Sequence, residues 1–487
     1  MQPINKTEEK IVAIPVIDSP NAQRSAGRQL WRDIKEAIAG TDMDFTRGAI
    51  GRAVLLLSIP MVLEMVMESV FAVVDIFFVS RLGAEAVAVV GITESLMTVV
   101  YAIGMGLGTA TAAMVSRRTG EKDQEGASAA AAQGILLAVF ASALIAIPGI
   151  FYARELLMLM GADQAAAESY YMYPAIMLSG NMVIMLLFII NSIFRSSGDA
   201  ALSMRVLWFA NIINIILDPM FIFGFGIIPA MGIKGAAIAT TIGRSLAVLY
   251  QIWILTRKGS RVKLKPAHFI PDTGLIRKLL KLSAGGIGQL LIATSSWIIM
   301  VRIIAIFGSE VLAGYTIAIR IMIFSLLPSW GMSNAAATLV GQNLGAGQPD
   351  RAVRSVWMTA MINLGFLGLA GAVFMTYPAF FIRLFISDPL VVESGAQCLR
   401  MISIGFVFYA FGMVMIQAFN GAGDTQTPMV LNLIFFWLLE IPLAWFLAVN
   451  LGLEERGVYI AIVLAESSIA IAGIILFQRG KWKLKKV

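Results

Sequence analysis

Residues 57–82 read LSIPMVLEMVMESVFAVVDIFFVSRL. About 20 residues at 1.5 Å each span the hydrocarbon of a bilayer, and this run is long and apolar enough to do so. It nevertheless carries Glu64, Glu68 and Asp75. At about 100° per residue, offsets of four and eleven bring all three carboxylates to one helix face. An isolated acid at membrane depth costs at least about 2.5 kcal/mol, so three on one face need water, an ion or a bonded partner. The stripe is therefore read as protonatable or cation-binding and facing a wet cavity.

The rest of the chain agrees with a membrane setting. Of its 487 residues, 58 % are hydrophobic and 14 % charged, against about 25 % charged in soluble domains. Mean hydropathy is +0.81. The single cysteine, Cys398, excludes an intramolecular disulfide and a cysteine metal cluster. The single histidine, His268, lies in a basic linker, which excludes histidine-based catalysis or metal binding. The net charge of +7 belongs to membrane-flanking loops rather than to a nucleic-acid surface.

Residues 1–50 form a polar tail without a signal-peptide core. Within it, GRQLWRDIKEAIAG (27–40) sets Leu30, Trp31, Ile34 and Ile38 on one face, as in a short helix lying on a membrane surface. Twelve spans follow, at about 52–80, 86–115, 129–151, 169–194, 203–224, 235–256, 279–306, 312–340, 355–377, 395–419, 429–449 and 458–478. The expected divisions are an N-lobe (51–256), a linker (257–278), a C-lobe (279–478) and a basic tail (479–487). An even number of spans puts both chain ends on one side. Loops on that side hold Arg117, Arg118, Lys122, Arg195, Arg205, Arg351, Arg354 and the basic linker, whereas the opposite loops hold only Arg81, Arg154, Lys234, Arg383 and Arg456. The positive-inside rule then puts both termini in the cytoplasm.

The two halves match at a constant offset of 225: Ser58 with Ser283, Gly83 with Gly308, Gly106 with Gly331, Gly120 with Gly345, Asp163 with Asp388, Gly180 with Gly405, and Gly198–Asp199 with Gly423–Asp424. Beyond Met204 and Met429 the offset becomes 222, and Asp218 falls opposite Glu440, Arg244 opposite Glu466. An offset of six spans preserves orientation, so the halves are parallel repeats about an axis along the membrane normal. The expected fold is all-α: two pseudo-two-fold-related six-helix lobes around a central cavity, rocking to alternate access. The first-span acids are not repeated, since Glu64, Glu68 and Asp75 face Gln289, Ala293 and Met300. The ionisable site is thus expected in the N-lobe.

The fifth span, FANIINIILDPMF, places Asn211, Asn214 and Asp218 on one face. Buried amides and acids need partners, which the first-span stripe and Asn181 and Asn191 of the fourth span could supply. Two acids close together in a low dielectric cannot both ionise cheaply. Such a pair is suited to exchange a proton, or to hold sodium among Asp75, Asn214 and Asp218. Arg302 and Arg400 lie near helix ends and can snorkel. Arg244, Arg320, Glu94, Glu440 and Glu466 lie deeper and are expected in internal ion pairs. There is no P-loop, and no nucleophile–base pair stands out, so neither direct ATP coupling nor enzymatic activity is expected.

From about residue 48 to 478 the chain resembles the multidrug and toxic compound extrusion (MATE) transporters. The matching pieces are LSIPM with Pro60, VVD at Asp75, FRSSGD (194–199), FNGAGD (419–424) and NIILDP (214–219). The resemblance implies export of small organic, often cationic and amphipathic, compounds across the cytoplasmic membrane in exchange for protons or sodium ions, without a cofactor. It implies a coupling site of Asp75, Asn214 and Asp218, a sixth-span threonine, Thr240 or Thr241, and a bend of the first helix near Pro60. Glu64 and Glu68 fall outside the family pattern. Partners are expected to be substrate and lipid, not nucleic acid, with the chain a monomer. The competing readings are a flippase of lipid-linked sugars from the same superfamily, against which twelve spans and an acidic first helix argue, and a membrane sensor or scaffold acting through its N-terminal tail.

Overall fold

The computed structural model describes residues 20–257 and 259–487. Residues 1–19 of the expected tail and Lys258 of the linker lie outside the described residues. Helix α1 (Pro20–Ala39) precedes the N-lobe, which contains α2 (Ile50–Ser80), α3 (Ala84–Gly120), α4 (Gln124–Phe151), α5 (Ala153–Leu159), α6 (Gln164–Tyr170), α7 (Met172–Ser179), α8 (Asn181–Ser197), α9 (Ala200–Phe223) and α10 (Ile233–Thr256). After a 3₁₀ turn at Pro266–Phe269 come α11 (Thr273–Ile304), α12 (Ser309–Gly345), α13 (Pro349–Thr376), α14 (Pro378–Arg383), α15 (Pro389–Ile404) and α16 (Phe406–Gly421). The C-lobe closes with α17 (Gln426–Asn432), α18 (Ile441–Trp445) and α19 (Glu454–Gln478); a π-helical turn at Leu433–Glu440 links α17 to α18, and another at Phe446–Asn450 extends α18, so that Gln426–Asn450 is one rod.

Among the described residues, ten helices or helix runs are long and apolar enough to cross a membrane, and α15 with α16, bent by 56°, makes an eleventh. Helix α2, 31 residues long, is the twelfth despite its acids. The expected span α11 begins earlier than read, at Thr273, because Asp272 caps its first turn through Gly274 and Leu275.

The repeat is visible in the backbone. Helices α3 and α12 start and stop at equivalent residues and have 37 residues each. The fourth and tenth spans break at the equivalent Gly180 and Gly405. Gly198 and Gly423 end helices with φ of 95° and 81°, a left-handed conformation that a side chain disfavours. Asp199 then caps α9 through the Leu202 amide at 3.3 Å, and Asp424 accepts from Thr427 Oγ1 at 2.8 Å.

Between the lobes, α2 packs along α12 and α3 along both α11 and α12. The contacts are reciprocal. Gly106 lies against Ile287, where an added Cβ would stand 2.7 Å from the Ile287 nitrogen, and Gly331 lies against Val62, where it would stand 2.9 Å from the Val62 nitrogen. Gly120 meets Gln342 and Gly345 meets Arg117 in the same exchanged fashion. All four glycines lie in helix halves toward the face that carries the chain ends. The molecule is closed on that face. Gln342 Nε2 reaches across to the Ser196 carbonyl at 2.8 Å.

The segment after α1 reinforces the closure. Arg351, in the first turn of α13, donates to the carbonyls of Gly48, Arg47 and Phe45 at 2.8, 2.9 and 3.3 Å. Arg261 of the linker donates to the carbonyls of Thr41 and Ser197 at 2.6 and 3.1 Å. Phe45 is buried in a cluster with Leu57, Met61, Ala200, Ala335 and Leu339, drawn from both lobes. The basic tail also bridges: Arg117 donates to the Lys485 carbonyl at 2.7 Å, and Lys485 pairs with Asp424 at 3.0 Å.

Candidate functional site

Helix α9 holds Asp218 one turn beyond Asn214, so the two side chains meet on one face. Both are buried. With the amide nitrogen turned toward the carboxylate, Asn214 Nδ2 donates to Asp218 Oδ2 at 2.6 Å and Oδ1 at 3.2 Å, and Asn214 Oδ1 accepts from Thr240 Oγ1 at 3.0 Å. The reverse orientation makes Nδ2 donate to Thr240 Oγ1 at 3.0 Å and points the amide oxygen at the acid. The first suits an ionised Asp218, which only accepts; the second suits a protonated one, which has a hydrogen to donate. The first also lets Asn214 Oδ1 accept from the Thr240 backbone N–H at 3.0 Å, a donor that the reverse orientation sets against the amide nitrogen.

Asp75, on α2, is half-buried and within electrostatic reach of Asp218 and of Arg244 from α10. Arg244 is nearly buried, at 12 % side-chain exposure, and its Nη2 lies 4.0 Å from Glu68 Oε1. Its guanidinium carbon stands 5.9 Å from the Phe71 ring centre. Asn211 Nδ2 donates to the other Glu68 oxygen at 3.2 Å. On α3, Glu94 is exposed and accepts from Tyr101 Oη at 3.5 Å, within the field of the same arginine. Glu68, Asp75 and Glu94 thus gather around one cation, and Asp218 adjoins the group through Asp75, in the N-lobe halves away from the closed face.

Glu64 stands apart. It shares a helix face with Glu68 and Asp75 but lies toward the closed face, about 16 Å along the helix from Asp75. It is 1 % exposed. Arg195 Nη1 donates to Oε1 at 2.6 Å, Ser203 Oγ donates to Oε2 at 2.9 Å, and Asn191 Nδ2 lies 3.5 Å away. Gln251 in turn donates to Asn191 Oδ1 at 2.7 Å. Glu64 is thus a paired, hydrogen-bonded charge rather than a free one.

Of the supporting residues, Asn211 and Asn214 join the acids, and Asn191 joins Glu64. Asn181 does not: at the α7–α8 break it donates to the carbonyls of Leu178 and Ser142 at 2.5 and 3.1 Å. Thr240 reaches Asn214, whereas Thr241 spends its hydroxyl on the Ala237 carbonyl of its own helix. Pro60 lies buried inside a continuous α2. Arg244 and Glu94 join the acids although spacing alone does not assign them there, and Arg195 was expected in a loop. Arg195 instead occupies the last turn of α8. A non-repeated arginine at 244 was the one available hint.

The C-lobe is built differently at the equivalent places. Gln289, facing Glu64 in the repeat, bonds the Thr425 carbonyl and Asn420 Oδ1 at 2.9 and 3.1 Å. Met300, facing Asp75, is buried. Glu440, facing Asp218, accepts from Ser296 Oγ at 2.9 Å. Among the described residues, no group of three or more His, Cys, Asp or Glu side chains is arranged to hold a metal ion.

The MatE family model matches residues 60–220 and 286–446, one copy in each lobe. The chain is 25 % identical over 447 residues to the probable multidrug resistance protein YpnP of Bacillus subtilis (strain 168), covering 91 % of this chain and 98 % of that protein. Among solved structures, an outward-facing multidrug resistance MATE transporter of the MOP superfamily superposes with a TM-score of 0.84 at 26 % identity, over 91 % of this chain and 98 % of that one. A MOP superfamily transporter from Pyrococcus furiosus, described as having a binding pocket of reversed polarity, gives 0.84 at 25 % identity over the same shares.

Proposed function

Because this chain belongs to the MatE family of multidrug efflux transporters, we propose that it exports small organic compounds across the cytoplasmic membrane, with both termini inside, in exchange for protons or sodium ions. The observation that carries the reading is the Asn214 amide joined to Asp218 and Thr240 with Asp75 in reach. A cation arriving from the open side neutralises this group. The acids then release their hold on a bound organic cation.

Arg244 keeps part of the acidic charge balanced while the cavity is empty, so substrate and coupling ion compete for the remainder. The reciprocal glycine contacts near Pro60 provide the surfaces on which the lobes part, opening the cytoplasmic side. Glu64 holds α2 to α8 during that movement through Arg195. The test is substrate uptake into inside-out vesicles under an imposed proton gradient and, separately, a sodium gradient. Uptake driven by one of them supports exchange, and uptake indifferent to both rejects it.

A further inference from the structure

Helix α1 packs against the start of α2 by a narrow seam. Asp33 and Ala37 are buried in it, and Arg52 holds Asp33 and Glu36 at 3.1 and 2.6 Å. Most of the other described side chains of the helix are exposed. Beside the seam, Leu30, Ile34 and Ile38 follow one line at i, i+4, i+8 with Trp31 next to it. Leu30, Trp31 and Ile38 are 47, 60 and 41 % exposed. Beyond this apolar arc come Arg28, Arg32 and Lys35, all exposed. Lys35 Nζ lies 5.6 Å from the Trp31 ring centre. Among the described residues, the acids of this helix beside the basic arc, Glu36 and Asp33, are already bound, Glu36 by Arg52 and Thr41 and Asp33 by Arg52.

We propose that α1 is a docking surface for the anionic lipid leaflet on the face that carries the chain ends. An apolar arc with a tryptophan, flanked by exposed cations, is the pattern of a helix lying in the headgroup boundary. Its attachment at Arg52, where the first span begins, sets it at that level. The charge selects the occupant: three outward cations complement phosphatidylglycerol-type headgroups and gain nothing from a neutral surface. Residues 41–48 run from this helix into the inter-lobe cluster at Phe45, so docked lipid steadies the leading end of the closing segment.

The proposal rests on the membrane reading of the spans and not on ion-coupled export, so its test avoids transport. Full-length protein carrying Cys398→Ser and Ile38→Cys, or Leu30→Cys as a second site, is labelled with a polarity-sensitive dye. It is placed in nanodiscs of phosphatidylcholine alone or mixed with phosphatidylglycerol, with nitroxide-labelled lipid as quencher. The expected result is blue-shifted, lipid-quenched emission that strengthens with phosphatidylglycerol. Arg28→Gln, Arg32→Gln and Lys35→Gln together remove that dependence, each charge contributing about fivefold. A dye quenched by aqueous iodide equally in both discs overturns the proposal, and so does lipid contact indifferent to phosphatidylglycerol.

Discussion

Gly331 of α12 rests on the backbone of Met61, the residue after Pro60, so closely that a Cβ would stand 2.8 Å from the Met61 carbonyl oxygen. Its repeat partner Gly106 meets Ile287 in the same way on the other lobe. A helix deprived of one backbone bond by proline thus bends, or stays straight, against a surface with no side chain to yield. Overpacking such a contact costs about 1–3 kcal/mol. Gly331→Ala and Gly106→Ala should each lower the closed population on the chain-end face by roughly five- to hundredfold relative to the open one. Spin-label distances between the chain-end tips of α3 and α12 report the shift. Unchanged distance distributions in both variants would remove the glycine pair from the movement.

Glu64 and Arg195 make a second, separable prediction. Removing one partner of a buried ion pair costs about 3–5 kcal/mol, because the other is left charged without compensation. Glu64→Leu should therefore lower the melting temperature markedly, and Glu64→Leu with Arg195→Leu should recover most of the loss. Normal stability of the single variant, measured by thermal unfolding in detergent, would contradict a structural role.

The Asn214 hydrogen bonds predict a division between α10 threonines. Thr240→Val removes the hydroxyl that pairs with the Asn214 amide and should cut gradient-driven transport roughly two- to tenfold, a neutral hydrogen bond being worth about 0.5–1.5 kcal/mol. Thr241→Val loses only a bond to its own helix and should transport nearly as wild type. Equal losses in vesicle uptake would mean that the hydroxyls matter for helix packing instead.

The twelve-span architecture was readable because hydrophobic length and basic-loop asymmetry are physical demands of the bilayer. The repeat was readable because glycines and capping aspartates such as Gly198–Asp199 and Gly423–Asp424 are fixed by backbone geometry. Asp218 with Asn214 was legible from helical spacing. The separation of Glu64 from Glu68 and Asp75 was not. A common face says nothing about depth, and the side chain that claims Glu64 comes from a helix 131 residues away. Arg244 escaped for the same reason, and the choice between Thr240 and Thr241 needed the actual rotation of α10.

Acidity should loosen the clasp between α1 and α2. Thr41, then Arg52, hold the Glu36 carboxyl below the usual glutamate range by hydrogen bonding. A carboxyl lowered by folding stabilises the folded form above its unfolded value and ceases to do so as pH falls through its folded value. A spin label at Ala39 should stay immobile at neutral pH and become mobile only below about pH 4.3, the ordinary glutamate value. Mobility that instead rises toward alkaline pH would contradict the assignment.

In the proposed cycle, acids of the N-lobe exchange a cation for substrate. Its most direct test compares wild type, Asp75→Asn and Asp218→Asn in inside-out vesicles under the gradient that drives the wild type. Accumulation is expected in the wild type and in neither variant, with all three equally expressed and equally stable to heat. Gradient-driven accumulation by both variants would contradict it.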